Sequence, residues 1–436
     1  MPRPRAVRDP RTPPTRSHRS GPPAASPPGT PSPAAPSRDS LVARHVAALP
    51  PSGIREFFEL VRAAGSGPDE QGRRLISLAI GEPDFDAPWH VREAAIWSLE
   101  HGRTGYSPNL GLLPLRAAVA DHVAAETGVH YDPLDEVLVT VGVSQGLDLA
   151  LRALVEPGDE VLLHEPCYVS YAPSVALVHG RPVAVPTTAH RNFALDPDAV
   201  ARACTPRTRV LLLNFPCNPT GAVLDAPTTA ALARLAQKHN LAVIADEIYA
   251  ELTYDEPARS ILAEDGMRER TVLLRGFSKT FAMTGFRVGY ACAPKNLLEA
   301  LNRIHQYAML CAPAPAQEAA LEALRHGRAG RLAMRDQYRL RRNFVVRSFA
   351  ELGLPCGRPA GAFYAFPSIA SSGLSSREFA ARLLREQHVA VVPGSAFGPS
   401  GEGHVRCAYA APLPLLEEAV DRIRTFVAGL RKPRRR

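Results

Sequence analysis

The stretch Val272-Leu273-Leu274-Arg275-Gly276-Phe277-Ser278-Lys279-Thr280, followed shortly by Thr284-Gly285-Phe286-Arg287, sets a strand-length apolar run directly before a lysine among small and hydroxyl residues. Short apolar runs bounded by glycine and polar residues read as buried strands. In a parallel sheet, ligands bind just past the carboxyl ends of the strands. A single lysine after a strand is ordinarily a surface residue. Here its neighbours permit partial desolvation, which lowers an amine's pKa and makes it competent toward aldehydes. Arg287, eight residues on, offers a planar fork for a phosphate.

Moving outward, further strand-like runs lie at Glu136–Val141, Glu160–His164, Arg209–Asn214, Ala242–Ala245 and Val288–Ala291. Helical periodicity falls at 54–64, 90–101, 112–126, 144–155, 227–239, 316–326 and 331–352. Strands alternating with helices predict an α/β fold around a mostly parallel sheet. After about residue 330 the pattern changes to a long helix, short strands near Gly361–Phe366, Val389–Val392 and Val405–Ala408, and a last helix at 413–430. This change predicts a second, smaller α+β domain.

Three more polar clusters follow strand-like runs, and a tyrosine stands near another. Asp246-Glu247-Ile248-Tyr249 closes the run Leu241–Ala245. An acid there suits a metal or a nucleotide, but no G-x-x-x-x-G-K-[ST] occurs in the chain. The same acid suits a ring nitrogen that must stay protonated. Asn218-Pro219-Thr220-Gly221 follows the run Val210–Asn214 and by itself reads as a turn. Thr140-Val141-Gly142-Val143-Ser144-Gln145-Gly146 passes from strand to helix, where backbone amides bind phosphate well, although a plain turn has the same appearance. Tyr168 suits either core packing or a face for ring stacking.

The formal charge of +8 is concentrated at the chain ends. Residues 1–40 carry seven Arg and two Asp, and 431–436 carry five cations, which leaves residues 41–430 near −2. No aromatic residue interleaves those cations to stack on bases, so a nucleic-acid partner is not expected. Twelve prolines in residues 1–40 predict a disordered leader and disfavour the amphipathic helix of an organellar transit peptide. Seven cysteines, an odd number without a C-x-x-C pair, predict neither a disulfide framework nor a zinc site, and they suit a reducing compartment. No apolar run is long enough to cross a bilayer and the start of the chain lacks an apolar signal core, so a cytoplasmic location is expected.

Taken in order, these motifs resemble the fold-type-I pyridoxal-phosphate enzymes of the class I/II aminotransferase family, and within it the archaeal-type aromatic and prokaryotic aspartate aminotransferases. The resemblance covers roughly residues 41–430. It includes Pro51-Ser52-Gly53-Ile54-Arg55, Gly81-Glu82-Pro83-Asp84-Phe85, Tyr106-Ser107-Pro108-Asn109, Gly361-Ala362-Phe363-Tyr364 and Val392-Pro393-Gly394-Ser395-Ala396-Phe397-Gly398. The domains it implies are an N-terminal segment at 41–84 packed on the small domain, a large cofactor-binding domain at 85–315, a small domain at 316–430 and a basic tail at 431–436. Lys279 matches the Schiff-base lysine and proton shuttle, and Asp246 the acid on the pyridine nitrogen. Asn218 and Tyr249 match the pair on the cofactor's phenolic oxygen, and Tyr168 the stacked ring. Ser278, Arg287, Ser144 and the amide of Val143 match the phosphate cup. Arg406 matches the grip on the substrate's α-carboxylate, helped by the Gly81 backbone and Asn218. Tyr106 matches a residue sent across a homodimer interface to the neighbour's phosphate.

The activity implied is ping-pong transamination between an L-amino acid and a 2-oxo acid. Aromatic or apolar side chains are expected to face Ile54, Phe57, Phe58 and Phe363, with glutamate or aspartate as further nitrogen donors. A β-lyase or other amino-acid-modifying enzyme on the same cofactor is the first alternative. A regulatory or nucleic-acid-binding protein with this body is the second. Two departures stand out: Phe286 replaces a frequent tryptophan, and the stretch Ala308–Ala316 lacks the cation that some aspartate-specific relatives carry.

Overall fold

Continuous apolar runs become the strands of one central sheet because helices cover both of its faces, leaving no solvated side to select alternation. In the computed structural model, which describes residues 41–49, 53, 59, 61, 62, 67, 69 and 71–431, that sheet has seven strands. They are β2 (Val137–Thr140), β3 (Glu160–Glu165), β4 (Arg181–Pro186), β5 (Thr208–Asn214), β6 (Ala242–Asp246), β7 (Thr271–Gly276) and β8 (Gly289–Cys292). Their order is β2-β8-β7-β6-β5-β3-β4, with β8 antiparallel to both neighbours and the remaining pairs parallel. Successive residues supply opposite faces. Leu211, Leu213, Val243, Ala245 and Leu273 join one core, whereas Leu212, Ile244, Val272 and Leu274 join the other.

The carboxyl ends of β5, β6 and β7 lie side by side, with Asn214 in register with Asp246 and Asp246 with Leu274. Each end therefore delivers its next residues to one edge of the sheet, where the sequence has its polar clusters. A smaller antiparallel sheet of order β11-β12-β9 comes from β9 (Tyr364–Ala365), β11 (Val392–Pro393) and β12 (Val405–Ala408). The short strand β1 (Ile76–Ser77) pairs in parallel with β10 (Val389–Ala390), so the segment preceding Gly81 is tied to the C-terminal elements.

Several elements differ from the sequence reading. β4 was not expected; Pro182 and Pro186 interrupt it, and it stands at the sheet's outer edge, where a missing N–H is tolerated. The helix Lys295–Ala308 was not expected either, although it is amphipathic: its buried residues are Leu298, Leu301 and His305, at spacings of three and four. The helix Ser376–Gln387 opens on Ser375, whose hydroxyl accepts from the Glu378 amide at 3.2 Å. That Ser-x-x-Glu start is a readable signal. The helix Tyr171–Leu177 was likewise missed. The leader at 1–40, the tail beyond 431 and most of the expected helix at 54–64 lie outside the described residues.

Leu212, fully buried in β5, tests this packing. Leu212→Ala should cost roughly 2–5 kcal/mol, read as a lower urea midpoint of the cofactor-free protein.

Candidate active site

A cleft of about 630 Å³ opens at the carboxyl edge of the sheet. Its walls include Gly81, Val143, Ser144, Tyr168, Asn218, Asp246, Tyr249, Ser278, Lys279, Arg287 and Arg406, which bring together every site residue read from the sequence except Tyr106. Tyr106 lies off the cleft and is 87% exposed. Phe363 corrects an expectation: it is fully buried beneath Lys279 and packed against Tyr249, Tyr338 and Tyr364, and it is not part of the lining. Ile54, Phe57 and Phe58, expected beside it, lie outside the described residues.

Lys279 sits in the one-turn helix Phe277–Thr280 that caps β7, and its Nζ donates to the Gly81 carbonyl at 2.6 Å. Burial pulls its pKa down to about 8; Arg406 and Arg287 push in the same direction and Glu82 opposes them. The amine is thus held where it loses its proton readily while still aimed into the cleft.

Asp246, the last residue of β6, is buried and forms no ion pair with a cation among the described residues. Its carboxylate accepts from Tyr171 Oη at 2.8 Å and from the Ile248 amide at 3.2 Å. Burial lifts its pKa to about 6 against those two hydrogen bonds. A positively charged group arriving in the cleft relieves this cost, and a protonated ring nitrogen has the right chemistry. Tyr171 was missed in the sequence. Its signal is weak, a second tyrosine three residues after Tyr168, with its partner 75 residues away.

Arg406 on β12 presents the complementary case, a guanidinium 3% exposed with no carboxylate partner among the described residues. Nη1 donates to Asn218 Oδ1 at 3.0 Å and Nη2 to the Ala79 carbonyl at 2.6 Å, while Nε has no partner. The rings of Tyr364 and Phe397 lie 4.6 and 5.0 Å from its Cζ. Because Arg406 occupies Asn218 Oδ1, the Asn218 amide nitrogen is left to donate. Tyr249 Oη lies 2.9 Å from Tyr364 Oη, and burial holds the Tyr249 phenol protonated far above its ordinary range.

At the other end of the cleft the helix Gly142–Leu154 begins at the cleft wall, and none of its first-turn amides meets a capping side chain. Gly142 has φ +73°, and a Cβ there would stand 2.9 Å from Arg287 Nη2. Arg287, itself left-handed at φ 54°, directs Nη1 to the Thr284 carbonyl at 2.9 Å. With Ser144 and Ser278, which also line the cleft, Arg287 makes this end cationic and rich in donors. Elsewhere, His122, Glu126 and Glu251 form a cluster of metal-ligand residue types, but Arg275 and Arg331 already sit on those carboxylates.

The chain is similar to known proteins along most of its length. A sequence profile described as aminotransferase class I and II matches residues 73–423. The aromatic-amino-acid aminotransferase 2 of Thermococcus litoralis is 44% identical, over 86% of this chain and 95% of its own length. The aspartate aminotransferase of Pyrococcus abyssi matches to the same extent, 44% over 86% and 95%. Among solved structures, an aromatic aminotransferase from Pyrococcus horikoshii superposes with a TM-score of 0.80, at 42% identity over 86% of this chain and 99% of its own.

The lowered pKa of Lys279 is directly measurable. In the cofactor-free protein its amine is protonated below about pH 8 and neutral above it. Reaction with an aldehyde, trapped by borohydride, should therefore accelerate with a midpoint near 8, and Lys279→Arg should abolish it. A midpoint at the ordinary lysine value would contradict the burial.

Proposed function

The chain belongs to the class I and II aminotransferases, pyridoxal-phosphate-dependent enzymes of fold type I, and we propose that Lys279, Asp246, Asn218, Tyr249 and Arg406 are its working residues. It transfers amino groups between amino acids and 2-oxo acids. The observation that carries the site assignment is the pair of buried charges with no opposite charge paired to them among the described residues, the Asp246 carboxylate and the Arg406 guanidinium, in one cleft with a lysine at about 8. Each lacks what the cofactor or the substrate brings.

The residues fit the cofactor. Asp246 would hold the ring nitrogen, Asn218 and Tyr249 would donate to the ring oxygen, and Tyr168 would cover the ring face. Ser144, Ser278, Arg287 and the Val143 amide would take the phosphate. When bound, pyridoxal phosphate supplies an aldehyde for the amino nitrogen and a ring that draws away the electrons of the broken Cα–H bond. Lys279 Nζ takes the proton from the substrate's Cα and delivers it, and its lowered pKa suits both directions near neutral pH. Arg406 receives the α-carboxylate on its free Nε edge and fixes the Cα–H bond in reach. Tyr171 keeps the Asp246 carboxylate oriented.

Aromatic or other apolar amino acids are the proposed donors. The aromatic-amino-acid aminotransferase of Thermococcus litoralis supports this class. So does the lining: Lys279, Arg287 and Arg406 are its cations among the described residues, and each already has a task. A homodimer is also proposed. Its support is the exposure of Trp89, Trp97, Tyr106, Tyr307 and Met309, a load of apolar surface that a second copy would cover. The division into a large domain at 85–315 and a small one at 316–430 is part of the same reading, supported by the separate three-stranded sheet. All seven cysteines are free, which supports a reducing, cytoplasmic setting. Among the described residues, no helix is long and apolar enough to cross a membrane.

Mixing the holoenzyme with single amino acids and following its visible absorption tests the activity. Phenylalanine or tyrosine should change the spectrum and yield one 2-oxo acid per site, whereas ammonia release in its place would overturn transamination. Arg406→Ala should raise KM roughly a hundredfold or more, the scale of leaving a carboxylate without its charged partner. For the dimer, Lys279→Ala and Tyr106→Ala proteins should each be impaired, and their refolded mixture should recover activity through hybrid sites. No recovery would argue against Tyr106 crossing between subunits.

A further inference from the structure

Glu165 ends β3 with a carboxylate that the reaction does not use and that no cation neutralises among the described residues. Its Oε1 accepts both the Ser400 amide at 3.0 Å and the Ser400 hydroxyl at 2.7 Å. The loop it holds, residues 394–401, consists of two short 3-10 turns, Gly394–Phe397 and Pro399–Gly401. Gly398 joins them at φ +111°, and a Cβ there would overlap the Glu165 carboxylate. The carboxylate thus occupies the space a side chain at 398 would fill, so loop and acid are built around each other. Two residues further on, the Cys167 amide donates to the Phe397 carbonyl at 3.1 Å. The end of β3 therefore grips the loop at two points, one on either side of Gly398.

The first of those points, Phe397, matters for recognition. Phe397 is 2% exposed and lies 5.0 Å from Arg406 Cζ, while Tyr364 lies 4.6 Å from the same carbon. Tyr364 belongs to the cleft wall and Phe397 does not, so Phe397 supports the guanidinium from behind. Arg406 has no carboxylate to orient it among the described residues, and two hydrogen bonds with two rings do that work. Relaxing one ring frees the plane of the fork, and a bidentate grip depends on that plane and position.

We propose that Glu165 is a positioning residue for substrate recognition: through Ser400 it fixes the 394–401 loop, keeps the Phe397 ring behind Arg406, and so sets the fork that receives the α-carboxylate. This rests on Arg406 being that receptor. The same grip ties the strand end that carries Tyr168 and Tyr171 to the strand that carries Arg406, so cofactor face and substrate fork share one anchor.

The test uses the holoenzyme with 3-phenylpropanoate, which has the carboxylate but no amine, its Kd read from the change in visible absorption, together with initial rates for phenylalanine. Glu165→Ala should raise both that Kd and KM about tenfold, with kcat within about twofold and cofactor retention unchanged, as expected for losing two hydrogen bonds behind the fork. Glu165→Gln should behave as wild type, because its amide oxygen accepts from both Ser400 donors. Adding Glu165→Ala to Phe397→Ala should give no further loss, since both act on one ring. An unchanged Kd in Glu165→Ala, beside a weakened one in Arg406→Ala, would overturn the proposal alone. An unchanged Kd in Arg406→Ala would instead overturn the reading of Arg406 beneath it. If Glu165→Ala loses its cofactor, Ser400→Ala decides: about threefold weaker binding is expected from one lost hydrogen bond, and no weakening would overturn the proposal.

Discussion

Charge buried without a partner is the constraint around which this molecule is arranged. A single uncompensated ion in a protein interior costs several kcal/mol, and this cleft contains two, Asp246 at the end of β6 and Arg406 on β12. Neither satisfies the other. The hydrogen bonds each makes, from Tyr171 and the Ile248 amide to Asp246 and from Arg406 to Asn218 and Ala79, orient the group without neutralising it. The seven-stranded sheet, with apolar cores on both faces, holds Asp246, and the three-stranded sheet β11-β12-β9 holds Arg406. The stability lost at these positions is what the cleft returns as binding when opposite charges enter it.

Lys279 follows the same logic with the sign reversed. The burial that raises Asp246 lowers Lys279, and the two arrive near 6 and near 8, on either side of neutrality. One environment thereby prepares an acid that awaits a cation and an amine ready to give up its proton. Exclusion of water is the largest cause of both shifts.

How much of this was legible in the sequence depends on whether the cause is local. β5, β6 and β7 were read because strands buried on both faces must be apolar throughout, and the polar residues after them were read as a site because the strands run parallel. β4 was hidden by Pro182 and Pro186, which matter little at an edge. The helix Lys295–Ala308 was legible by periodicity, since Leu297, Leu298, Leu301, Ile304 and His305 share one face. Lys279, Asp246 and Asn218 follow strands and are visible by position. The role of Arg406 followed from resemblance alone, because nothing near residue 406 tells that its guanidinium is buried without an acid. Tyr171 and Glu165 were out of reach for a similar reason: their partners are 75 and 235 residues away, and only the folded chain brings them together.

The reversal of β8 has a consequence for the connection that precedes it. In a sheet running one way throughout, the strand after β7 would start at the far edge, and a helical crossover would have to carry the chain back. Because β8 is antiparallel, Gly276 pairs with Gly289, and residues 277–288 never leave the cleft side. One short hairpin loop therefore delivers both Lys279 and Arg287, and Gly289 closes it by resting against Gly142 and Val143, where a Cβ would come within 2.9 Å of their backbone. The separation of amine and phosphate cradle is thus a loop length, set by counting residues. An insertion between them would leave the sheet whole yet pull the two ends of the cofactor site out of step, which makes this loop the molecule's ruler.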